Sequence, residues 1–277
     1  LSLPMDIPIS GHISFTVVTI TFNAESALQR TLDSVLAQSY LHIEHLIIDG
    51  DSKDNTVAMA QAYAEKAQYE VRITSEPDRG LYDAMNKGLR QASGDYIIYM
   101  NAGDAFTSSE TLAIVANAAM AVCKEGEKET LPAVLYGETN WTDNNGTSTG
   151  KRNHVVPEHL SWKSLKYGML VCHQAFYART DIAKQCPYDL QYKHSADVDW
   201  CIRVMKEAAK RKLALVNVKE TVANYQREGQ TTANHHASLK ERYHIMCKHY
   251  GTLTTIAMHL WFVVRGVLKQ IAIILHN

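Results

Sequence analysis

The feature that most constrains the fold is a regular alternation of short apolar runs and helix-length segments in the first hundred residues. Residues 14–20 are rich in Val, Ile and Thr, which is typical of a buried strand. Apolar residues then recur at helical spacing and predict an amphipathic helix over residues 25–38. Because strands that alternate with helices of about 10–15 residues form right-handed βαβ units, the sequence predicts an α/β fold with a mostly parallel central sheet.

The same patterns extend this rhythm along the chain. They predict strands that end at Asp49, near residue 75 and at Met100, and helices over roughly 54–68, 80–92 and 109–123. Farther on, they predict a hairpin or loop at 142–150, a strand near 169–178, a helix at 197–211 and a strand at 213–218. We expect the later strands to extend the same sheet. A polar segment at 227–236 separates them from two final helices.

Composition excludes several functional classes. Basic and acidic residues nearly balance, with 28 Lys+Arg and 29 Asp+Glu, which argues against a nucleic-acid-binding protein. Five cysteines without a CxxC pair argue against a disulfide framework and a zinc site, and they suit a reducing, cytoplasmic compartment. The first ten residues predict no signal peptide. The chain has neither GxGxxG nor GxxxxGK[ST], so a dehydrogenase or a P-loop ATPase is not expected.

Polar residues follow the predicted strand ends, where open α/β sheets bind their ligands. Asp49 ends an apolar strand, where a carboxylate is unfavourable unless it accepts hydrogen bonds, for example from a nucleobase or ribose. Ser52 and Asp54 nearby have an equally good explanation as helix caps. Asp104, in the sequence NAGD, is a candidate ligand for Mg²⁺ or Mn²⁺, although this sequence is also typical of a turn.

Several motifs in a fixed order resemble one known family. The segments are VVTITFNAESALQRTLDSVLAQSY, HLIIDGDSKDNT, SEPDRGLYDAMNKGLRQASGDYIIYMNAGD, CHQAFYAR and YDLQYKHSADVDWCIRV. Together they resemble the family 2 glycosyltransferases with the GT-A fold, and they are similar to the bacterial colanic acid and O-antigen types. The resemblance implies a GT-A catalytic domain over residues 12–235 and a C-terminal helical segment over 236–277, for membrane association or oligomerisation.

The resemblance implies a UDP- or GDP-linked sugar as donor, bound at the strand ends. The residues that it assigns to the donor are Thr21, Phe22, Asn23, Asp49, Asp51, Arg79, Asp83, Asn86 and Asn101. Many relatives have a second acid at the position of Gly50, and we expect Asp51 to compensate. The DxD-like motif is reduced to Asn101 and Asp104, which leaves Asp104 as the single protein carboxylate on Mg²⁺ or Mn²⁺.

The resemblance assigns the catalytic base to Asp197, with Asp199 as the alternative. Without this resemblance, the first turn of a helix would explain both acids, because the helix dipole favours negative charge there. His173 and Gln174 are candidate contacts for the diphosphate or the acceptor, or else structural residues. A base without a covalent nucleophile implies a single displacement, which inverts the anomeric centre.

The C-terminal segment 253–275 is apolar but contains Arg265 and Lys269 on one face. Two cations at the centre of a bilayer would offset most of the gain from the apolar residues, so we expect a helix in the membrane interface rather than one that spans it. A helix packed on the catalytic domain or on a partner subunit is the alternative. Upstream basic residues would favour anionic lipid; they are Lys240, Arg242 and Lys248.

These observations favour an inverting, metal-dependent glycosyltransferase of surface polysaccharide biosynthesis. It would use a lipid-linked or oligosaccharide acceptor and lie peripherally at the cytoplasmic face of the inner membrane, with a homo-oligomer as one option. The alternative is a non-catalytic scaffold subunit that binds sugar nucleotides, since the DxD motif is weakened and Ala196 replaces the acid before Asp197. A nucleotidyltransferase is disfavoured because no basic glycine-rich loop follows the first strand.

Overall fold

The computed structural model describes residues 12–124, 127–152, 155–226 and 235–275. Within these ranges the strands are β1 (Phe15–Thr21), β2 (Ile43–Asp49), β3 (Glu70–Ser75), β4 (Tyr96–Tyr99), β5 (Ala105–Phe106), β6 (Val134–Thr142), β7 (Ser148–Lys151), β8 (Phe176–Arg179) and β9 (Leu215–Gln226). The helices are α1 (Glu25–Leu36), α2 (Thr56–Ala64), α3 (Leu81–Gln91), α4 (Thr111–Met120), α5 (Thr180–Ala183), α6 (Ala196–Lys210), α7 (His235–Tyr250) and α8 (Thr252–Leu275). The N-terminal residues 1–11 and most of the polar segment at 227–236 lie outside the described ranges.

The strands form one sheet in the order β3-β2-β1-β4-β8-β6-β9-β5, and β7 pairs with β6 as a hairpin. The first four strands of this order are parallel, with β1 between β2 and β4. Strand β8 runs antiparallel to both β4 and β6, whereas β9 runs parallel to β6 over most of its length. The predicted α/β fold with a largely parallel sheet is confirmed, and so is the hairpin.

Apart from the short strand β5, which was not predicted, the elements before residue 121 agree with the predicted ones to within a few residues. Strands β1 and β2 are buried along their whole length, which is why both were recognisable as uninterrupted apolar runs. On α6, the fully buried ring of Trp200 stacks on Tyr188 at 5.0 Å between ring centroids, and its edge meets Tyr99 and Phe176. This aromatic cluster fixes α6 against the sheet.

The chain differs from the prediction in three places. The strand expected near 169–178 is reduced to β8, because 3₁₀ turns occupy residues 164–167 and 173–175 and Gly168 adopts a positive φ of 120°. His173 and Gln174 therefore precede a strand instead of following one. Strand β9 continues to Gln226, well past the expected end. The two-residue strand β5 pairs with β9 and has no local signal in the sequence.

Helix α7 packs on the N-terminal end of α6. The carboxylate of Glu241 accepts hydrogen bonds from the backbone N–H groups of Lys193, His194 and Ser195 at 2.8, 2.8 and 2.9 Å. These are the residues that lead into α6, so one side chain of α7 satisfies three backbone donors at the start of that helix. Ile245 of α7 is fully buried in the main hydrophobic core.

Helix α8 presents its polar side to the protein. Thr255 is fully buried, and the His259 ring lies 5.2 Å from the Tyr243 ring of α7. Thr255 and His259, the polar residues of the first turns of α8, thus contact the protein, whereas Arg265 farther along is exposed and the side chain of Lys269 lies outside the described part. The outward side is apolar and exposes Leu253, Ile256, Leu260, Trp261, Val263 and Val264. Among the described residues, no helix combines the length and apolar character that crossing a bilayer requires.

Candidate functional site

The loops after β1 and β2 are joined into one platform at the carboxyl edge of the sheet. Asn23, at a φ of 47°, donates its backbone N–H to Ser52 Oγ at 2.8 Å and accepts from the backbone N–H of Lys53 at 2.9 Å. The Phe22 ring beside it is 64% exposed. Asp51 has a φ of 66° and pairs with Lys53 at 2.7 Å. The predicted donor residues of these two loops therefore lie together, as the fold class requires.

Asp49 is buried beneath this platform and its carboxylate is fully used. Its oxygens accept hydrogen bonds from Thr21 Oγ1 at 2.9 Å, from Ser75 Oγ at 2.7 Å, and from both the backbone N–H and the hydroxyl of Ser52. Burial raises the pKa of Asp49, but these donors outweigh it and hold the pKa below its ordinary value. Asp49 thus ties the ends of three strands together in its ionised form.

The predicted donor residues of α3 have mainly structural contacts. Asp83 accepts a hydrogen bond from the backbone N–H of Arg79 at 3.1 Å and pairs with its guanidinium at 3.2 Å. Asn86 is buried and clamps the backbone of Tyr188, donating to its carbonyl at 2.9 Å and accepting from its N–H at 2.8 Å. Of the three, Arg79 alone is largely exposed, at 78% of its side chain, and its guanidinium is paired with Asp83.

Asp104 is buried where the chain leaves β4. One carboxylate oxygen accepts from the Gln174 side-chain amide at 2.8 Å, and the other accepts from the backbone N–H of Gln226 at 3.2 Å. Burial raises the pKa of Asp104 to about 6, because two neutral donors only partly replace the water that a carboxylate loses. Gln174, predicted as a possible diphosphate or acceptor contact, thus donates a hydrogen bond to the candidate metal ligand, Asp104.

A second chain of contacts runs from the same turn to α6. His173 lies with Nε2 3.4 Å from the Asn101 amide nitrogen and with Nδ1 3.4 Å from Asp197 Oδ2. The other Asp197 oxygen accepts a hydrogen bond from the Tyr82 hydroxyl at 3.2 Å. The structure therefore brings together three elements distant in sequence. The adjacent residues His173 and Gln174 connect the predicted base to the predicted metal-binding turn.

Asp197 keeps part of its side chain, 17%, open to solvent. Burial raises its pKa, but the hydrogen bond and charge of His173 and the charge of Arg242 outweigh this effect and lower the pKa. Arg242, on α7, was expected to face anionic lipid; its side chain is half-buried, with Nε inside the protein. Among the described residues this nitrogen has no hydrogen-bond partner.

Asp199 does not reach this cluster. Its side chain is fully buried and pairs with Arg203 at 2.6 Å, with His249 at 2.8 Å and with Lys248 at 3.1 Å. Burial raises its pKa, but the hydrogen bonds from His249, Arg203 and Lys248 lower it far more. Lys248, which was also expected to face lipid, joins α7 to α6 through its pair with Asp199. Asp199 is thus an anchor between two helices, and Asp197 is the acid that faces the cluster.

Replacing Asp199 by Asn should destabilise the folded protein by roughly 3–5 kcal/mol, since three basic groups would lose their buried partner. The native pKa of Asp199 is lowered, so its contribution is present above its unfolded pKa of about 4 and is lost as the pH falls below that. Urea unfolding at pH 7 and pH 3 measures both effects. Asp189→Asn, which removes a partly exposed partner of Lys248, is the control and should cost less than about 1 kcal/mol. Equal losses in the two variants would contradict this account.

The residues near Asp104 fit a divalent ion that is held mainly by phosphate oxygens of a bound nucleotide and by water. Among the described residues, no group of three or more His, Cys, Asp or Glu side chains is arranged to hold a metal. However, Asn101 Oδ1 is buried, and it has no hydrogen-bond partner within the described ranges. One carboxylate and one amide oxygen are hard ligands of the type that Mg²⁺ and Mn²⁺ prefer, and Mg²⁺ usually keeps water and phosphate oxygens in its remaining positions.

Sequence reasoning missed three residues of the cluster. Tyr82 lies on α3, Gln226 ends β9, and Arg242 belongs to α7. Tyr82 and Arg242 lie within helices, and β9 was expected to end near residue 218, so the rule that led to Asp49 and Asp104 did not reach these residues. For Tyr82 the sequence shows only an aromatic residue after the turn at DRGL, and nothing local indicates its partner on α6. For Arg242 the sequence offered only its charge.

Comparisons with known proteins agree on one family. The model described as "Glycosyl transferase family 2" matches residues 16–184. The PGL/p-HBAD biosynthesis glycosyltransferase Rv2957 of Mycobacterium tuberculosis (strain H37Rv) is 31% identical over 196 residues, which cover 70% of this chain and 71% of the relative.

Two solved structures have a similar fold. The Staphylococcus aureus protein TarS 1–349, in complex with UDP-GlcNAc, has a TM-score of 0.66 at 19% identity, and the match covers 84% of this chain and 64% of TarS 1–349. The mannosyltransferase PcManGT from Pyrobaculum calidifontis, in complex with GDP-Man and Mn²⁺, has a TM-score of 0.61 at 14% identity, covering 99% of this chain and 84% of PcManGT. These likenesses confirm the predicted fold class.

Proposed function

Because this chain belongs to glycosyl transferase family 2, we propose that it moves a sugar from a nucleoside diphosphate to a hydroxyl of a lipid-linked or oligosaccharide acceptor, inverting the anomeric centre. One observation carries this proposal. A partly exposed carboxylate, Asp197, is connected through His173 and Gln174 to the strand-end turn that holds Asn101 and Asp104. In this proposal the base and the diphosphate-binding turn lie on either side of one sugar.

In the proposed reaction Asp197 accepts the proton of the attacking hydroxyl. Its lowered pKa keeps the carboxylate ionised at neutral pH, and His173 and Tyr82 hold its two oxygens from different sides. The hydroxyl attacks the anomeric carbon opposite the departing diphosphate, so one displacement inverts the configuration. When bound, Mg²⁺ or Mn²⁺ would neutralise charge on that diphosphate. The residues that would hold the ion are Asp104 and Asn101.

The donor would lie on the platform at the ends of β1, β2 and β3. Phe22 offers an exposed ring to a base, and Arg79, largely exposed although paired with Asp83, offers the remaining guanidinium N–H groups to phosphate oxygens. The remaining donor residues are proposed to shape this platform from within; they are Thr21, Asn23, Asp49, Asp51, Asp83 and Asn86. Solved structures with a similar fold contain UDP-GlcNAc or GDP-Man with Mn²⁺, which supports both a nucleotide sugar and a divalent ion.

Replacing Tyr82 by Phe should lower kcat by roughly 2–10-fold and leave the donor KM unchanged. The change removes one hydrogen bond to the proposed base, which is typically worth about 0.5–1.5 kcal/mol. Steady-state kinetics with a donor series measures the effect. Tyr40→Phe is the matched control, because the Tyr40 hydroxyl donates to the Ile13 carbonyl, away from the cluster. A similar loss in both variants would assign the effect to general stability.

We also propose that α8 attaches the enzyme to a membrane surface in the cytoplasm. Its polar side is used by the protein, and six large apolar side chains are left outward, with Leu253 85% exposed. An apolar helix face next to cationic Arg265 suits the boundary between headgroups and acyl chains of anionic lipid. In this arrangement the acceptor lipid and the enzyme share one surface.

Replacing Leu260 and Val264 together by Glu should reduce binding to vesicles by about 100-fold or more. Each change removes an apolar side chain worth roughly 1.5–3 kcal/mol on burial and adds a negative charge. Co-sedimentation with vesicles of phosphatidylethanolamine and phosphatidylglycerol measures the binding. The matched control places two new Glu residues at Gln61 and Gln68, which are exposed and distant from α8 in sequence. Equal sedimentation of both variants with the wild type would contradict membrane attachment.

A donor screen tests the catalytic proposal. The full chain is incubated with UDP- and GDP-sugars in Mn²⁺, in Mg²⁺ and in EDTA, and release of UDP or GDP is measured. We expect release with one nucleotide class, dependent on the divalent ion. Binding of a nucleotide sugar without any release, even when a membrane extract supplies acceptors, would favour the alternative of a non-catalytic scaffold. Release that is unchanged in EDTA would contradict metal dependence.

A further inference from the structure

Arg242 is a cation on the protein-facing side of α7. It lies four residues after Ser238 and three residues before Ile245, so the three side chains share one face of the helix. Ser238 and Ile245 are both buried, and the hydroxyl of Ser238 lies 2.9 Å from that of Ser195, which precedes α6. The face that carries Arg242 is therefore turned towards the start of α6, where Asp197 lies.

The guanidinium of Arg242 has no partner within the described ranges, where it makes no hydrogen bond and no ion pair and its Nε is buried. The one acid of α7, Glu241, uses both carboxylate oxygens on the backbone N–H groups of residues 193–195. By contrast, Arg203 and Arg211 of α6 each pair with a carboxylate. A half-buried charge without a partner is costly, so its place in this fold calls for a ligand from outside the chain.

Arg242 lies close to the proposed base without contacting it. Its positive charge is one of the causes that lower the pKa of Asp197, yet in the described part of the chain the two side chains form no ion pair. A hydroxyl that gives its proton to Asp197 must therefore come near this guanidinium. Of the guanidinium nitrogens only Nε is both buried and unpartnered, so the two terminal nitrogens remain open to solvent. They are the part of Arg242 that a substrate can reach.

The position of Arg242 separates it from the diphosphate of the donor. In the proposed reaction that diphosphate lies at the turn of Asn101 and Asp104, across the sugar from Asp197. Arg242 approaches from the other side, on the helix that leads through Gly251 into α8. An anion that reaches Arg242 therefore belongs to the acceptor.

We infer that the acceptor carries an anionic group close to the hydroxyl that receives the sugar, and that Arg242 binds this group. The inference rests on the proposed function, because it concerns the acceptor of that reaction. A guanidinium presents parallel N–H groups that match two oxygens of a phosphate or a carboxylate. The anion could be the phosphate that links a sugar to its lipid or the carboxylate of an acidic sugar. Because α7 continues into α8 with its exposed apolar face, we expect the phosphate of a lipid linker.

Short synthetic acceptors test this inference in solution. The full chain is assayed with a donor that it accepts and with three acceptors of equal alkyl length: an alkyl diphosphate-linked hexose, an alkyl hexuronide and a neutral alkyl hexoside. We expect the KM for one anionic acceptor to be at least about tenfold below that for the neutral one. A preference for the diphosphate identifies a lipid linker, and a preference for the hexuronide identifies an acidic sugar. Where only a membrane extract supports nucleotide release, the same compounds serve as inhibitors of that release, and inhibition constants replace the KM values.

Arg242→Gln should raise the KM for the preferred anionic acceptor by roughly 10–100-fold, the usual effect of losing a hydrogen bond to a charged group. The KM values for the donor and for the neutral acceptor should stay within about threefold of the wild type. Arg242→Lys keeps the charge but not the fork of donors, so it should recover part of the lost affinity. Lys240→Gln removes one positive charge from the exposed side of α7 and should leave all three KM values unchanged. Thermal melting shows whether each variant is folded.

Two results would overturn the inference. One is a wild-type protein that prefers both anionic compounds to the neutral one by less than about tenfold. The other is an Arg242→Gln variant that is impaired equally with anionic and neutral acceptors, which would assign Arg242 to the base or to stability alone. A wild-type protein that releases UDP or GDP from no donor, even with a membrane extract, would instead overturn the proposed function, before any variant is measured.

Discussion

Asp197→Asn is expected to lower kcat by about 10²–10⁴-fold while the affinity for the donor nucleotide stays within about threefold of the wild type. The amide cannot accept the proton of the attacking hydroxyl, yet it has nearly the same shape and can still contact His173 and Tyr82. Steady-state turnover and calorimetric titration with UDP or GDP separate these two quantities. The lowered pKa of Asp197 also predicts that the wild type loses no activity through this group above about pH 5.

A control distinguishes loss of the base from loss of charge. Asp33→Asn makes the same replacement of a carboxylate oxygen by an amide nitrogen at an exposed acid of α1, and it should leave turnover unchanged. If Asp197→Asn retained full turnover, the assignment of the base would be wrong, and with it the direction from which we expect the acceptor to approach. A large loss of donor affinity in Asp197→Asn would instead place this residue on the nucleotide side.

Asp104→Asn is expected to abolish the dependence of transfer on a divalent ion and to lower turnover by about 10²-fold or more. A metal can contribute several kcal/mol to stabilising charge on the leaving group, and Asp104 is the one carboxylate of this turn. Stability should change little. The variant removes a carboxylate whose ionisation is costly because it is buried, which favours the folded state. Against this, the Asn side chain has one oxygen and can accept a hydrogen bond from only one of the two donors, Gln174 and Gln226.

The pH dependence offers an independent measurement on the wild type. Burial raises the pKa of Asp104 to about 6, so the carboxylate is protonated below that pH and protons compete with the ion. We expect the apparent affinity for Mn²⁺ to fall as the pH decreases through 6, whereas affinity at pH 7–8 should be nearly constant. A Mn²⁺ affinity independent of pH between 5 and 8 would contradict Asp104 as a ligand.

The first half of the fold was predictable because its signals are local. Strands β1 and β2 are buried on both faces and appear as continuous apolar runs, and the helices between them carry one apolar face. The second half depends on long-range pairing. Strand β5 pairs only with β9. The strand expected near 169–178 is limited to its last residues, because residues 169–172 are irregular and a 3₁₀ turn, with Gln174 and Ala175 buried, occupies 173–175.

Parts of the candidate site were predictable where a polar side chain directly follows a strand. Asp49 and Asp104 could be placed at the carboxyl edge of the sheet because each follows an apolar strand, while their roles toward a donor and a metal stay predictions. Asn86 was assigned to the donor, but the structure uses both ends of its amide on the Tyr188 backbone, a contact between residues about a hundred positions apart. Tyr82 was missed for the same physical reason. Its importance comes from a partner on α6 that no local pattern indicates.

The attachment of α7 to α6 has a consequence for how such an enzyme changes its acceptor. The region matched by the family model ends at residue 184, before α6 begins, whereas Glu241 and Asp199 lock α6 to α7 beyond it. Helix α6 is therefore held both by the sheet, through Trp200, and by α7. Recombination that exchanged α6 without α7 would leave the Lys248 and His249 side chains without the Asp199 carboxylate. With the proposed role of Asp197, acceptor preference should accordingly be transferable between relatives as one block that includes both helices.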